Sequence, residues 1–269
     1  MKLTLTLDPE SPTLITCSPG PAYFGASSLK IDNITQLPDS KEAANQHLAL
    51  VRAIEQSGTG VINIQELPEH PNSVFTKDTA VCTPKGYVRL RMGLPSRTGE
   101  EDWMADVLGS LGKKRIGSIE LPGTVEGGDI ILAENIAFIG HSSRTNLSGI
   151  EQFSSLLMKF GYEIRIARVP EPFLHLGGTL TLVSKDTILC VGGLFPDSLF
   201  NGFHVIEVPN NGFISGNVIA LPDKQVIADQ SNDSTISALK REGFTVYPVD
   251  LSEFIKGTGG PSCLILKVS

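Results

Sequence analysis

The chain has 269 residues, of which 41% are apolar and 19% charged, so it can bury a full hydrophobic core. Its formal net charge of −7 disfavours nonspecific binding to nucleic acid and to anionic membranes. No stretch approaches the roughly 18 apolar residues that span a bilayer. The sequence therefore predicts a globular protein without a nucleic-acid or membrane partner.

The predicted elements begin with residues 1–8, whose apolar and polar residues alternate as in a strand rather than in a signal peptide. Helical periodicity predicts helices at residues 40–56, 99–111, 145–160 and 233–242, and a helix or a turn near 195–200. Short β-branched runs predict strands at 13–17, 60–64, 79–83, 87–91, 130–133, 136–139, 163–167, 179–183, 188–191, 204–208, 218–220, 226–228, 245–249 and 263–268.

The spacing of these elements indicates a structural repeat. Helices recur at intervals of about 45 to 60 residues, with about three strands for each helix, which is typical of a ring closed on itself. A doubly wound sheet has about one strand per helix and does not match. We expect an α/β protein that forms a single domain over residues 1–269.

The cysteines are scattered, without a CxxC pair or metal-ligand spacing: Cys17, Cys82, Cys190 and Cys263. Reduced thiols of this kind are typical of a cytoplasmic protein. Cys263 follows a glycine-proline turn and opens the run at residues 263–268, where a side chain can be rigid yet open to a cleft. The alternative interpretation is a small buried core residue.

Two segments with paired glycines also carry candidate residues. Glu126 opens the sequence EGGD at residues 126–129, and His175 lies in LHLGG at residues 174–178. Paired glycines let a backbone approach another group closely. A tight turn and a buried core histidine are the alternative interpretations.

Three charged residues lie next to predicted element starts. Asp78 precedes the strand at 79–83, and Arg97 lies in the loop SRTGEE at 96–101. Arg144 lies in SSRTN at 142–146, where free helix N–H groups could help to hold a carboxylate. A turn residue, a solvated arginine and simple helix capping are the respective alternatives.

In this order and at these spacings, the segments resemble the guanidine-modifying superfamily, which includes dimethylarginine dimethylaminohydrolase, arginine deiminase and the amidinotransferases. The matches run from FTKD at residues 75–78 to GGPSCL at 259–264, and they resemble dimethylarginine dimethylaminohydrolase most. The resemblance implies a five-bladed α/β propeller of pseudo-symmetric ββαβ units, in agreement with the repeat.

The resemblance also implies roles for the three catalytic residue types. Cys263 would be the nucleophile, His175 the general acid and base, and Glu126 the carboxylate that orients His175. A guanidinium is a delocalised cation and a poor electrophile, so attack on it requires a thiolate. The departing amine requires a proton, which an imidazolium can donate.

For the substrate, the resemblance implies that Asp78 binds the guanidinium and that Arg97 and Arg144 bind the α-carboxylate. Carboxylates hold a guanidinium planar through paired hydrogen bonds. The chemistry requires no metal and no organic cofactor. The only partner expected is a small guanidino substrate, and the sequence is compatible with a homodimer.

Three positions leave the substrate open. Lys77 stands where dimethylarginine hydrolases carry a second acid, and with Asn72 it matches the arginine deiminase pattern, so both are candidate substrate-binding residues. Gly177 lacks the side chain that either group carries two residues after the histidine.

The sequence predicts a hydrolase of the C–N bonds of linear amidines, acting on methylated arginine. The alternatives are an arginine deiminase or dihydrolase that releases ammonia, and a non-catalytic ligand-binding relative.

Overall fold

The computed structural model describes residues 13–268, so the strand predicted at residues 1–8 lies outside the described part. Within residues 13–268, no helix is both long enough and apolar enough to cross a membrane. The strands of this part form five three-stranded sheets. They are β1 Thr13–Ser18, β2 Gly60–Gln65, β3 Ala80–Thr83, β4 Gly86–Arg89, β5 Arg115–Ser118, β6 Ile130–Ala133, β7 Ile136–His141, β8 Glu163–Arg168, β9 Leu180–Ser184, β10 Thr187–Val191, β11 His204–Val208, β12 Ile219–Leu221, β13 Gln225–Asp229, β14 Thr245–Val249 and β15 Ile265–Val268.

All five sheets have the same connectivity. An inner strand (β3, β6, β9, β12 or β15) pairs antiparallel with a middle strand, which pairs parallel with an outer strand. The fifth sheet joins the two ends of the described chain, because β15 pairs with β1 and β1 with β2. The predicted α/β propeller with a pseudo-fivefold repeat is confirmed.

The helices of the described part are α1 Pro21–Phe24, α2 Ser40–Gln56, α3 Glu100–Ser110, α4 Leu147–Met158, α5 Leu176–Thr179, α6 Asp233–Arg241 and α7 Ser252–Ile255. α2, α3, α4 and α6 each carry the chain from a middle strand to its outer strand, as a parallel pair requires. In the β9–β11 sheet, that connection contains only the 3-10 turn Asp197–Phe200, so the element predicted near residues 195–200 is a turn.

The ends of the long helices follow from their capping residues. Asp39 accepts hydrogen bonds from the backbone N–H groups of Lys41 and Glu42, which begins α2 at the predicted residue. Asn146 accepts from Gly149 and begins α4 two residues later than predicted. The first helical N–H groups lack partners within the helix, so a polar side chain at that position sets the start.

Two strand predictions differ from the structure. Strand β5, Arg115–Ser118, was not predicted, because its four residues include only one large apolar side chain. The run predicted to be a strand at residues 263–268 begins as the 3-10 turn Pro261–Leu264, and the strand starts at Ile265. Cys263 therefore lies in a turn and not in a strand.

Candidate active site

Each inner strand follows a short turn, and these turns meet at one end of the ring. They are the 3-10 turns Thr76–Thr79, Gly127–Asp129 and Pro261–Leu264, the helical turn α5, and the turn at residues 213–216. One polar residue in or next to each turn reaches the shared centre: Asp78, Glu126, His175, Asn217 and Cys263. The structural repeat is thus what brings together residues that are far apart in the sequence.

Glu126 is fully buried and uses both carboxylate oxygens. Oε1 accepts hydrogen bonds from the backbone N–H groups of Gly93 (2.9 Å) and Leu94 (3.1 Å), and Oε2 lies 2.8 Å from Nε2 of His175. Arg144 Nη1 lies 3.4 Å from each oxygen. Burial alone would raise the pKa of Glu126, but His175 and the nearby arginines outweigh it and hold the pKa below its ordinary value.

The contacts of Gly128 and Asp129 show why the EGGD segment needs glycine next to the imidazole. The backbone N–H of Gly128 donates to Asp78 Oδ1 (2.8 Å), and a Cβ at Gly128 would lie 2.6 Å from His175 Cγ. Asp129 accepts a hydrogen bond from the backbone N–H of Leu176 (2.9 Å), the residue after His175. The segment therefore positions both the imidazole and the Asp78 carboxylate, and only glycine leaves room for the imidazole.

His175 is buried among three carboxylates. Burial alone would lower the pKa of the imidazole, but Asp78, Asp129 and Glu126 outweigh burial and raise the pKa to about 9. The imidazole is therefore protonated at neutral pH. A protonated histidine fixed by a buried carboxylate is a suitable general acid.

Cys263 is half-buried, and its Sγ lies 3.9 Å from Nδ2 of Asn217. Asn217 also accepts a hydrogen bond through Oδ1 from the backbone N–H of Ser262 (2.8 Å), so it fixes the turn that carries the thiol. Burial, with a contribution from the Asp78 carboxylate, raises the pKa of Cys263 to about 11. Without substrate, the side chain is therefore a thiol at neutral pH.

Arg97 is 3% exposed and already makes several hydrogen bonds. Nη1 donates to Asp78 Oδ2 (2.6 Å), while Nε and Nη2 donate to Glu100 Oε2 (2.9 and 2.7 Å). Nη2 also donates to the carbonyl oxygens of Phe75 (3.0 Å) and Asn72 (3.3 Å). Four of the five N–H groups of the guanidinium are therefore engaged, which leaves one for a ligand.

A narrow pocket opens at this end of the ring. Its lining includes six of the eight site residues predicted from the sequence: Asn72, Asp78, Arg97, Arg144, His175 and Cys263. A seventh, Glu126, lies behind His175. The pocket offers a thiol, an imidazolium, carboxylates and guanidinium groups within one small volume, which suits a ligand that carries charges of both signs.

Lys77 is the predicted site residue that the structure does not bring to this pocket. It lines a separate cavity of about 330 Å³ along the axis of the ring, on the other side of the turns. Burial lowers the pKa of the Lys77 ammonium, and Cys263 and Asp78 partly oppose that change. A Cβ at Gly177 would lie 3.8 Å from Lys77 Cε, so the missing side chain at Gly177 leaves space for the lysine.

Sequence reasoning missed three residues of the site: Asn217, Glu100 and Asp129. Asn217 precedes β12 as Asp78 precedes β3, so alignment of the five repeats would have indicated it. Glu100 and Asp129 act through Arg97 and Leu176, and these contacts depend on tertiary packing. Neither contact can be read from the sequence, although Glu100 lies in SRTGEE and Asp129 in EGGD.

A metal ion does not fit the arrangement of the three central groups. Asp78, Glu126 and His175 offer ligand atoms within 4.8 Å of one another. However, Asp78 already accepts from Arg97 and the Gly128 backbone, and Glu126 from two backbone N–H groups. Two guanidinium groups beside these carboxylates would also repel a divalent cation.

Comparison with known proteins gives a consistent assignment. The family model described as N,N dimethylarginine dimethylhydrolase, eukaryotic, matches residues 27–269. The N(G),N(G)-dimethylarginine dimethylaminohydrolase of Pseudomonas aeruginosa is 32% identical over 230 residues, which cover 86% of this chain and 90% of the relative. An arginine deiminase of Listeria welshimeri is 24% identical over 250 residues, covering 73% of this chain and 61% of the deiminase.

Solved structures agree with the fold. A cysteine-to-serine variant of the Pseudomonas aeruginosa enzyme in complex with citrulline superposes with a TM-score of 0.83 at 30% identity, covering 95% of this chain and 98% of the other. The N-terminal domain of ArgZ, an arginine dihydrolase of cyanobacteria, has the same fold, with a TM-score of 0.85 at 18% identity and coverage of 97% and 98%. The chain therefore belongs to the dimethylarginine dimethylaminohydrolase family, whose members hydrolyse C–N bonds of amidines.

Proposed function

We propose that the chain hydrolyses a guanidino C–N bond of Nω-methylated arginine, converting dimethylarginine and water to citrulline and dimethylamine. The observation that carries the proposal is the shared pocket of Cys263, His175 and Asp78, with His175 Nε2 held 2.8 Å from Glu126. The citrulline in the related crystal structure supports the same product. The proposal needs no metal or organic cofactor.

In the proposed complex, the guanidinium lies against Asp78 and the α-carboxylate against Arg144. Arg144 is better suited to this role than Arg97, because its contacts to Glu126 are long and few of its N–H groups are engaged. Arg97 adds its one remaining N–H and holds Asp78 in place. Asn72 supports the pocket wall, where its amide donates to the carbonyl of Asp32 (2.7 Å).

The first half of the reaction breaks the C–N bond. A bound guanidinium next to Cys263 favours the thiolate, so the thiol proton passes to solvent as the substrate binds. The thiolate attacks the guanidino carbon, and the C–N bond to dimethylamine then breaks with its electron pair on nitrogen. Protonated His175 donates its proton to that nitrogen, which leaves a covalent thiouronium and a neutral imidazole.

The second half releases the product. Water attacks the thiouronium carbon while neutral His175 accepts one of its protons. The C–S bond breaks with its electron pair on sulfur, which restores the Cys263 thiolate. The remaining O–H proton passes to solvent, and the product is the urea group of citrulline.

Free arginine is the second candidate substrate, with ammonia as the leaving group. Asn72 favours it, because this residue belongs to the deiminase-like segment and lines the pocket. Gly177 opposes it, because it supplies no carboxylate for an unsubstituted guanidinium.

The test is citrulline formation from asymmetric dimethylarginine and, in parallel, from arginine. We expect higher kcat/KM for the methylated substrate and a loss of roughly 1,000-fold or more in Cys263→Ser. Cys82→Ser is the matched control, because Cys82 is a half-buried thiol that lines the axial cavity instead of the pocket. If the enzyme turns over arginine but not dimethylarginine, arginine is the substrate. Full activity of Cys263→Ser would overturn the mechanism.

A further inference from the structure

The loop at residues 25–39, between α1 and α2, forms one wall of the pocket, which Asp32 and Asn33 line. Side-chain and backbone hydrogen bonds tie it to neighbouring segments. Among them are Asn72 Nδ2 to Asp32 O (2.7 Å), Ser96 Oγ to Ile31 O (3.2 Å), Asn33 Nδ2 to Thr258 Oγ1 (3.0 Å), Thr258 Oγ1 to Asn33 O (3.0 Å) and Thr35 N to Lys256 O (2.8 Å). The backbone at Asp32 is therefore fixed from both sides.

The carboxylate of Asp32 has no partner among residues 13–268. Its backbone N–H and carbonyl are both hydrogen-bonded, yet no hydrogen bond or ion pair reaches the side chain. The residue is only 7% exposed. Because Asp32 lines the pocket and the protein offers its carboxylate no counter-charge, a ligand cation bound there would supply one.

The charges of an arginine derivative match this unsatisfied group. Under the proposed function, Asp78 receives the guanidinium and Arg144 the α-carboxylate, which leaves the α-ammonium without a partner. Asp32 is the remaining carboxylate in the lining of the pocket, and it has the opposite charge.

We propose that Asp32 binds the α-ammonium group of the substrate and makes the site selective for guanidino compounds that are also α-amino acids. This inference rests on the proposed function for the identity of the other two subsites. It gives the 25–39 loop, which forms one wall of the pocket, a role in substrate specificity.

The test compares each guanidino substrate with its analogue that lacks the α-amino group, a 5-guanidinopentanoate with the same nitrogen substituents. For the amino-acid substrate, we expect Asp32→Asn to lower kcat/KM roughly 10- to 100-fold, the size of a lost charge-assisted hydrogen bond. The loss lies in KM, with kcat nearly unchanged. For the analogue, Asp32→Asn should change kcat/KM less than about twofold, because a substrate without an α-amino group makes no hydrogen bond to Asp32 in the wild type.

Asp106→Asn is the matched control, because it makes the same change in charge at an exposed position of α3. Alkylation of Cys263 by 2-chloroacetamidine, an amidinium without an α-amino group, should proceed at the wild-type rate in Asp32→Asn. Equal losses with both substrates would assign Asp32 a structural role and overturn the proposal. Unchanged kinetics with both would overturn it as well.

Binding to Cys263→Ser separates this inference from the proposed function. If the wild type turns over no guanidino substrate, the proposed reaction fails, but calorimetry with L-arginine and 5-guanidinopentanoate still tests Asp32. Tighter binding of L-arginine that disappears in the Asp32→Asn, Cys263→Ser double variant supports the α-ammonium contact. Equal binding of the two compounds, or no binding of either, overturns it.

Discussion

The two ends of the ring of sheets bury different kinds of side chain. At the pocket end, Asp78, Arg97, Glu126 and His175 are all nearly inaccessible, and each pairs with an opposite charge or a backbone group. The axial cavity behind the turns is lined mainly by apolar side chains of the inner strands, including Val81, Ile131, Leu132, Leu180, Leu182, Ile219 and Leu266. Lys77 also lines this cavity and lies just behind the turns.

The contrast shows how the fold supports a charged centre. The apolar side chains of the inner strands stabilise the ring, because burial of apolar surface contributes about 25 cal/mol per Å² to the free energy of folding. The stable ring holds the turns in place. Charged residues in those turns can then be buried because neighbouring turns supply their partners. A charge buried as deeply without such a partner would lower the stability of the fold. Three substitutions, Glu126→Gln, Gly128→Ala and Lys77→Met, test this division between the two ends of the ring.

Glu126→Gln should cause the largest loss of activity among these three substitutions. Burial lowers the pKa of His175, and the Glu126 carboxylate is one of the charges that raise it. Without that carboxylate the pKa falls from about 9, so less imidazolium is available at neutral pH. We expect kcat/KM to fall roughly 100-fold or more. The alkaline limb of the pH profile, where His175 loses its proton, should move to lower pH.

The pH dependence of kcat/KM and the NMR titration of the imidazole measure this effect. Glu120→Gln, at an exposed position, is the matched control and should leave both unchanged. An alkaline limb that stays near pH 9 in Glu126→Gln would show that Glu126 does not set the protonation of His175.

Gly128→Ala tests the close packing under the imidazole. The added Cβ would lie 2.6 Å from His175 Cγ and 2.8 Å from Asp78 Oδ1, so the imidazole and the carboxylate must both move. We expect activity to fall by roughly tenfold or more and the free energy of unfolding to fall by about 1–3 kcal/mol. Thermal unfolding and kcat/KM measure the two effects.

Gly109→Ala is the control for Gly128→Ala, because a Cβ at Gly109 in α3 meets no atom within 4 Å. This change should raise the free energy of unfolding by about 0.5–1 kcal/mol through helix propensity. An unchanged active site in Gly128→Ala would contradict the packing argument.

Lys77→Met should have the smallest effect, and it separates the two ends of the ring. Lys77 favours the Cys263 thiolate from the axial side, so its removal should raise the pKa of that thiol further. We expect Cys263 to be alkylated roughly 3- to 10-fold more slowly at neutral pH, as for a pKa change of half to one unit. KM should change less than about twofold.

Lys267→Met is the control for Lys77→Met, since Lys267 lines the same cavity at an exposed position. It should affect neither alkylation nor KM. A large rise in KM for Lys77→Met with normal alkylation would instead support the direct substrate contact predicted from the sequence.

Much of the site could be predicted because its residues lie in short segments with unusual composition. Cys263, His175 and Glu126 each lie beside glycines, and these glycines exist because neighbouring groups approach closely, as His175 does at Gly128. The side of the turn that Lys77 faces could not be predicted, because adjacent residues in a 3-10 turn point in different directions. Asp78 faces the pocket while Lys77 faces the axial cavity.

Hydrophobic periodicity and glycine turns are local properties, so the sequence predicted the order of the four long helices and of most strands, while the number of five units came from the family resemblance. Which charges are paired depends on the tertiary structure. Arg97 looks like a free anion-binding residue in its loop, yet four of its N–H groups bind partners inside the protein. Asp32 lies in a segment without a motif, and closure of the ring leaves its carboxylate unpaired at the pocket. Pairing depends on distances between sheets, which the linear sequence does not contain.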